Sequence, residues 1–346
     1  MSNRLITKVE SQNALLGAIV ANFMLNKRDR ILEYKDASNV TVKGSNRITL
    51  EIGGKWFYID TDTDVSTAAN LDTGTVAAGK DYYLYACDDA GALVFLISLN
   101  SSYPSGYTAD TSRKIGSFHT LCVNVGTIAG HPLSGAIANS ILPKSVWDLK
   151  HRPRSEPEGM VFSEGAGIWV DIYLASGTGS STSSVYNGTI SDNRNWMDFV
   201  DDFGAVKKQL LSDAEFQLIA AGSNEETNIS GSANPGTTGG HSDTAGRRII
   251  SNIGCEDCAG VMWQWLRDQS WRLDGVDLAA CKTWAWYDLP GAKGSLYREG
   301  DYGDVKLIAG GDWVDAANCG SRGRDASGCR WSTGTSIGGR GRSLPQ

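Results

Sequence analysis

Proline is scarce in this chain, eight residues in 346, and histidine scarcer still, with four. Long apolar runs are missing too. The longest, "NALLGAIVANFML" from Asn13 to Leu25, is too short to span a bilayer and carries Asn22 inside it. Arg4 and Lys8 precede that run as in a signal peptide, but Glu10 interrupts the basic region and Ile19 fits poorly before a cut after Ala21. The expectation is a buried N-terminal helix or strand. No cysteine precedes Cys87, so no N-terminal lipid-anchored cysteine is available. Excess positive charge is absent as well: a net charge of -7 argues against a nucleic-acid surface. The seven cysteines are odd in number and spread over a long chain, which excludes a disulfide-stapled mini-fold and fits free thiols made in a cytoplasm.

Catalytic signatures are equally thin. The four histidines, His119, His131, His151 and His241, are scattered, and none accompanies a G-x-S-x-G nucleophile. "GTGSSTSS" lacks the Lys-Ser/Thr ending of a phosphate loop. Cys255 and Cys258 have C-x-x-C spacing, but Cys319 and Cys329 stand too far apart to complete a zinc knuckle, and no βαβ context suggests a redox motif. They read as small packing residues beside "AGVMWQWLRD". Trp263, Trp265 and Trp271 lie close together, and alternation puts the first two on one face of a strand. A carbohydrate-stacking platform is one use of such rings; core packing is the commoner one.

What is present is glycine, 41 residues, with 41 % hydrophobic and 21 % charged side chains, the balance of a soluble globular chain of two or three domains. Three regions emerge: a lead segment over 1–40, a β-rich sandwich or prism over 41–145, and a third region over 146–346 that holds ten of the eleven tryptophans. "KWFYID" predicts a strand, and Tyr82–Cys87 with Ala92–Leu99 predict a hairpin joined by "DDAG". "LSDAEFQLIAAG" predicts a helix with a Ser212–Glu215 capping box and a Leu211–Phe216 staple. "NWMDFVDDF" predicts a second helix with Trp196, Phe199 and Val200 on one face. The Gly/Ser/Thr-rich segments 176–184 and 222–246 are long enough that loops of this kind usually serve function or assembly.

The stretch Gly310–Ser343 alternates large residues with small ones. In "RWSTGTSIGG" a period of two turns Trp331 and Ile337 toward a core and Ser332, Gly334 and Ser336 outward; Trp313 is expected to plug inward in the same way. The small residues Asp, Val, Gly, Ser and Cys are all reached by changing adenines in Asn, Ser or Tyr codons; Cys329 is one such change from Tyr. Arg322, Arg324 and Arg330 are expected to fix the loops through carbonyls and carboxylates.

"DLPGAKGSLYREGDYGDVKLIAGGDW", followed by "CGSR", "RW" and "IGGRGRS", resembles the variable proteins of diversity-generating retroelements, and "GVMWQW" resembles the G-N-V-W-E-W segment of the formylglycine-generating enzyme superfamily. The resemblance covers about 147–343 and is most specific from Asp288 onward. "SSYPSGYTADTSRKIGSFH" is similar to segments of phage tail proteins. The resemblance implies an α+β fold: a C-type-lectin-like domain over 146–346, with its variable region at about 310–343, preceded by the β-rich region. The lead segment would serve tail attachment or trimerisation. The implied function is a receptor-binding protein at a phage tail tip, made in the host cytoplasm and carried in the virion. Its implied partners are a host cell-surface receptor, protein or glycan, other tail proteins, and two copies of itself in a homotrimer, with no nucleic acid and no membrane insertion. The implied recognition positions are Asp312, Val314, Asp315, Asn318, Gly323, Asp325, Ser327, Gly328, Cys329, Ser332, Gly334 and Ser336.

The alternative class is an oxidase-like enzyme of the formylglycine-generating type. That branch uses reactive cysteines in its C-terminal part, where this chain has Cys319 and Cys329; a nucleophile at the variable position Cys329 would be lost in most variants. No E-P-N, Q-P-D or W-N-D motif of calcium-dependent lectins is present. The expectation is a binding protein that is not an enzyme and uses no cofactor or metal.

Overall fold

A computed structural model of the chain describes residues 29–272, 285–288, 293–298 and 303–346. The expected N-terminal helix or strand over Asn13–Leu25 lies outside the described residues. The architecture is mostly β-sheet with few helices.

Strands β1 (Leu32–Asp36), β2 (Asn39–Val42) and β5 (Thr63–Ser66) form one antiparallel sheet, and β3 (Ile48–Ile52) with β4 (Lys55–Ile59) forms a hairpin. In β3 the sequence ITLEI alternates by the strand period, so Ile48, Leu50 and Ile52 are buried while Glu51 is exposed. A second sheet runs in the order β7 (Ala92–Ser98), β6 (Asp81–Asp89), β8 (Ser112–His119), β9 (Trp147–Asp148). The expected hairpin is β6–β7, with a tighter turn than "DDAG": Asp89 pairs with Ala92, and Ala90 and Gly91 take φ of 50° and 98°. Both values suit the two-residue turn whose twist matches the strands.

Strand β6 is apolar on both faces because each face belongs to a different core. Tyr82, Leu84 and Ala86 pack with the β1–β5 region, whereas Tyr83, Tyr85 and Cys87 pack against Met160 and Trp169 of the C-terminal region. A near-continuous hydrophobic run is the signature of a strand covered on both sides. The strands of these sheets run from Leu32 to Asp148. The buried Asp148 carboxylate accepts from the N–H groups of Ile31 (2.8 Å) and Leu32 (3.1 Å), tying the start of β1 to the end of β9.

Among the described residues the C-terminal region contains two sheets. One orders β10 (Met160–Ser163), β11 (Ile168–Asp171), β19 (Gly341–Ser343) and β12 (Gln209–Leu210). The other orders β14 (Ala285–Asp288), β15 (Ser295–Arg298), β17 (Arg324–Asp325), β16 (Gly303–Ala309), β13 (Trp263–Arg272) and β18 (Ile337–Gly338). Helix α1 (Trp196–Ala205) starts at an Asn195–Asp198 capping box and buries Phe199 and Phe203, with Trp196 and Val200 packed beside them. Helix α2 (Asp213–Ile219) starts at the expected Ser212–Glu215 capping box and buries Phe216 and Ile219.

The tryptophan pair and the C-x-x-C pair both resolve as core packing. Trp263 and Trp265 are 5 % and 1 % exposed, so neither ring is open to stack on a sugar. The side chain of Trp271 lies outside the described residues. In "CEDC", Cys255 and Cys258 are buried small residues, and the intervening acids carry the polar contacts. Glu256 accepts two bonds from Arg248 (2.8 and 2.7 Å), and Asp257 pairs with His241 Nδ1 at 2.9 Å.

Candidate recognition surface

The terminal stretch is pinned to the sheet by its backbone. Arg324 and Asp325 sit between β15 and β16, and Ile337–Gly338 runs parallel to Trp263–Gln264. Between these points the chain is turn and coil. The Gly310 N–H bonds the Gly323 carbonyl (3.0 Å), the Lys306 N–H bonds the Gly328 carbonyl (2.9 Å), and the Asn193 N–H bonds the Gly334 carbonyl (3.0 Å). Gly311 has φ of 86°, and a Cβ there would stand 2.7 Å from Cys319 Sγ, so this corner admits no side chain.

Buried arginines complete the anchoring, as expected for Arg324. Its guanidinium donates to Asp213 Oδ1 (2.5 Å) and to the carbonyls of Gly323 (2.7 Å) and Ser321 (3.2 Å), and lies 4.9 Å from the Phe216 ring centre. Arg340, 1 % exposed, donates to Gln264 Oε1 and to the carbonyls of Asp171, Ile172 and Glu256. Each bond satisfies a carbonyl or amide oxygen that would otherwise be costly to bury. The Glu225 carboxylate accepts from both the N–H (3.1 Å) and the hydroxyl (2.8 Å) of Ser321. Arg322, by contrast, is exposed.

The structure divides the twelve expected positions. Val314 is 61 % exposed and Cys329 is exposed. Asp315, Asn318, Asp325, Ser327, Gly328, Ser332, Gly334 and Ser336 are half-buried. Asp312 and Gly323 are buried. Asp312 is 8 % exposed, and its carboxylate accepts from the Val314 N–H at 2.9 Å, which holds the turn that presents Val314. Gly323 is buried against the Asn318 and Gly320 carbonyls. Trp313 is half-buried against Val261, Met262 and their neighbours, in line with its expected inward plug.

Trp331 overturns the two-face reading of "RWSTGTS". Its ring is 69 % exposed, and Thr333 and Thr335 are exposed with it, while Ser332, Gly334 and Ser336 are half-buried. The period-two argument failed because residues 331–336 are not a strand. The Ser332 N–H closes a turn on the Cys329 carbonyl (2.9 Å), and the Ser332 hydroxyl accepts from the Cys329 N–H (3.1 Å). Gly328 and Ser332 flank the Arg330–Trp331 pair, and glycine and serine are turn residues rather than strand residues. Arg330 stands 6.0 Å from the Trp331 ring centre.

Electrostatics separates the two cysteines. Burial, reinforced by Asp315 and Asp312, pushes the Cys319 thiol well up. The Ser332 hydroxyl holds the exposed Cys329 thiol below its usual range. The Asp315 carboxyl rises to about 6, first through burial and then through repulsion by Asp312 and Asp325.

Residues 31–148 match the family model described as the Mtd second domain. The chain is 26 % identical to the tail fiber receptor-binding protein of Bordetella phage BPP-1, over 88 % of this chain and 83 % of that protein. The Major Tropism Determinant U1 variant superposes with a TM-score of 0.72 at 25 % identity, covering 95 % of this chain and 87 % of that one. The M1 variant gives 0.71 at 26 % identity, covering 93 % and 85 %. Along most of its length the chain is similar in sequence and in fold to the phage major tropism determinants, and residues 31–148 carry their second domain.

Proposed function

We propose that this chain is a receptor-binding protein of a phage tail, and that it contacts a host-surface receptor through the turns between Asp312 and Ser336. The observation that carries this is the separation of anchor from display. Buried Arg324 and Arg340 and the pairing to β13 and β16 hold the backbone, while Val314, Cys329, Trp331, Thr333 and Thr335 project into solvent. The relatives are named as a tail fiber receptor-binding protein and as tropism determinants, which supports the same role here. In this reading the C-terminal region is a C-type-lectin-like domain and the β-rich region links it to the virion. The chain acts as a homotrimer, so that weak sites add avidity, a gain of roughly 10²–10⁴ without new contacts.

The diversified positions are the exposed Val314 and Cys329 and the half-buried Asp315, Asn318, Asp325, Ser327, Gly328, Ser332, Gly334 and Ser336. Asp312 and Gly323 vary within the limits their burial sets. The test is the neighbouring DNA. A near-copy of the segment encoding Gly310–Ser343, differing at adenines and lying beside a reverse transcriptase gene, is expected; its absence would remove diversification from the proposal. The purified chain should also block adsorption of its phage to host cells, and failure to compete would remove receptor binding. The chemistry is non-enzymatic: Cys319 is sealed under Asp312 and Gly311, and its Sγ donates to the Asp312 carbonyl at 3.4 Å. Oxygen-dependent turnover of a thiol peptide, lost in a Cys319→Ser/Cys329→Ser double variant, would overturn this.

A further inference from the structure

A half-open cavity of about 350 Å³ lies where the start of β6 meets the C-terminal region, and it includes part of the Ser/Thr-rich loop 176–184. Its walls carry polar groups whose bonding capacity is unspent. Thr182 is 7 % exposed, and its buried hydroxyl has no hydrogen-bond partner. A buried hydroxyl left in that condition costs free energy unless a ligand or water meets it. Glu158 accepts from the Tyr83 hydroxyl through Oε1 (3.0 Å), leaving its second oxygen without a bond among the described residues. Glu156 and Lys207 are exposed; the Glu156 carboxylate accepts no hydrogen bond, although it and Glu158 feel the charge of nearby Lys114, and the Lys207 ammonium makes no hydrogen bond or ion pair, again among the described residues. Lys207 has φ of 59° because it ends helix α1 in the left-handed conformation, with the Lys208 N–H on the Phe203 carbonyl (2.7 Å), and this turn places its side chain at the cavity wall.

The remaining charges are already committed. Lys208 Nζ is held by Asp171 Oδ1 at 2.6 Å, and Asp81 Oδ1 accepts from His119 Nδ1 (3.0 Å) and from the Gly159 N–H (3.1 Å). A simple anion would meet three carboxylates here, and a simple cation would leave Lys207 unmatched. The unspent groups ask for a ligand that donates to carboxylates and accepts from an ammonium and a hydroxyl at adjacent atoms. Vicinal hydroxyls do both, and Val185, Ala205 and Val206 offer an apolar wall for C–H groups. The volume suits a small ligand, at the lower end of the usual range of about 300–1,000 Å³.

We propose that this cavity binds a neutral, hydroxyl-rich ligand of one or two sugar units, at a site separate from the Asp312–Ser336 surface. The intact chain would be titrated calorimetrically with glucose, galactose, mannose, N-acetylglucosamine, lactose and maltose. Phosphate, spermidine and lysine would serve as the competing chemistries. At least one sugar should bind, and Lys207→Ala and Glu158→Gln should each weaken it about tenfold, the cost of losing one charge-assisted bond. Val185→Trp, an exposed change that fills the cavity, should abolish binding, and Trp331→Ala should leave it unchanged. Beads carrying the same sugar as a polysaccharide would separate a glycan chain from a free sugar as the source, and retention on either supports the site. Binding of phosphate, spermidine or lysine but no sugar would overturn the proposal. So would sugar binding indifferent to Lys207→Ala and Val185→Trp, or no binding by a chain whose melting temperature is unchanged.

Discussion

Two tryptophans near the recognition surface should respond unequally to truncation. Trp265 is 1 % exposed, packs with Phe199, Phe203 and Ile308, and donates its indole N–H to the Arg194 carbonyl at 3.4 Å. A buried aromatic hides about 150–250 Å², so Trp265→Ala should cost about 3–5 kcal/mol. Trp331 is 69 % exposed and keeps less than a third of that burial. At about 25 cal/mol per Å² that remainder is worth roughly 1–2 kcal/mol, an upper estimate because the unfolded chain also buries surface. The Arg330 contact adds about 0.5 kcal/mol at an exposed site, so Trp331→Ala should cost at most about 1.5–2.5 kcal/mol in all. Thermal denaturation followed by near-ultraviolet circular dichroism reads both, with each kcal/mol moving the midpoint by about 2–4 °C in a domain of this size. Equal losses in the two variants would refute the assignment of Trp331 to the surface. The same pair separates stability from recognition: only Trp331→Ala should weaken blocking of phage adsorption while leaving the fold intact, since exposed Trp and Arg are the residues that most often dominate binding.

Further outcomes follow from the anchoring and the charges. Arg324→Met strips Asp213 and two carbonyls of their buried donor and should cost about 3–5 kcal/mol, measured by urea denaturation; a loss under 1 kcal/mol, about the scale of an exposed ion pair, would show that the arginine anchors nothing. The Asp315 carboxyl, raised from 3.8 to about 6, binds its proton more tightly folded than unfolded. The fold should therefore gain stability from this group as pH falls from above 6 toward 4, and Asp315→Asn, which keeps an oxygen for the Asp312 N–H, should flatten that slope. An unchanged slope in the variant would assign the effect elsewhere. Ser332→Ala removes the hydroxyl that favours the Cys329 thiolate, so iodoacetamide should label Cys329 more slowly at neutral pH, with Cys319 unlabelled in the native chain; equal labelling rates would count against the Cys329–Ser332 contact.

Local rules in the sequence were enough for what depends on neighbours along the chain. The capping box at Ser212–Glu215 and the stripe Trp196, Phe199, Val200 are written within a few residues, and helices α1 and α2 follow from them. The β6–β7 hairpin is equally local, although its turn closes on Ala90–Gly91 because strand pairing extends to Asp89 and Ala92. The glycine, arginine and tryptophan pattern of the terminal stretch carried the resemblance to a family by itself. Which way its side chains face was decided by distant partners. Trp331 faces solvent because the sheet takes up Arg324–Asp325 and then Ile337–Gly338, leaving the intervening residues as turns with no strand period to obey. Asp312 turns inward because its carboxylate is needed at the Val314 N–H, and β6 is buried on both faces because two cores meet across it. Sequence patterning sets which residues are able to be buried; the packing of strands far apart in the chain sets which of them are.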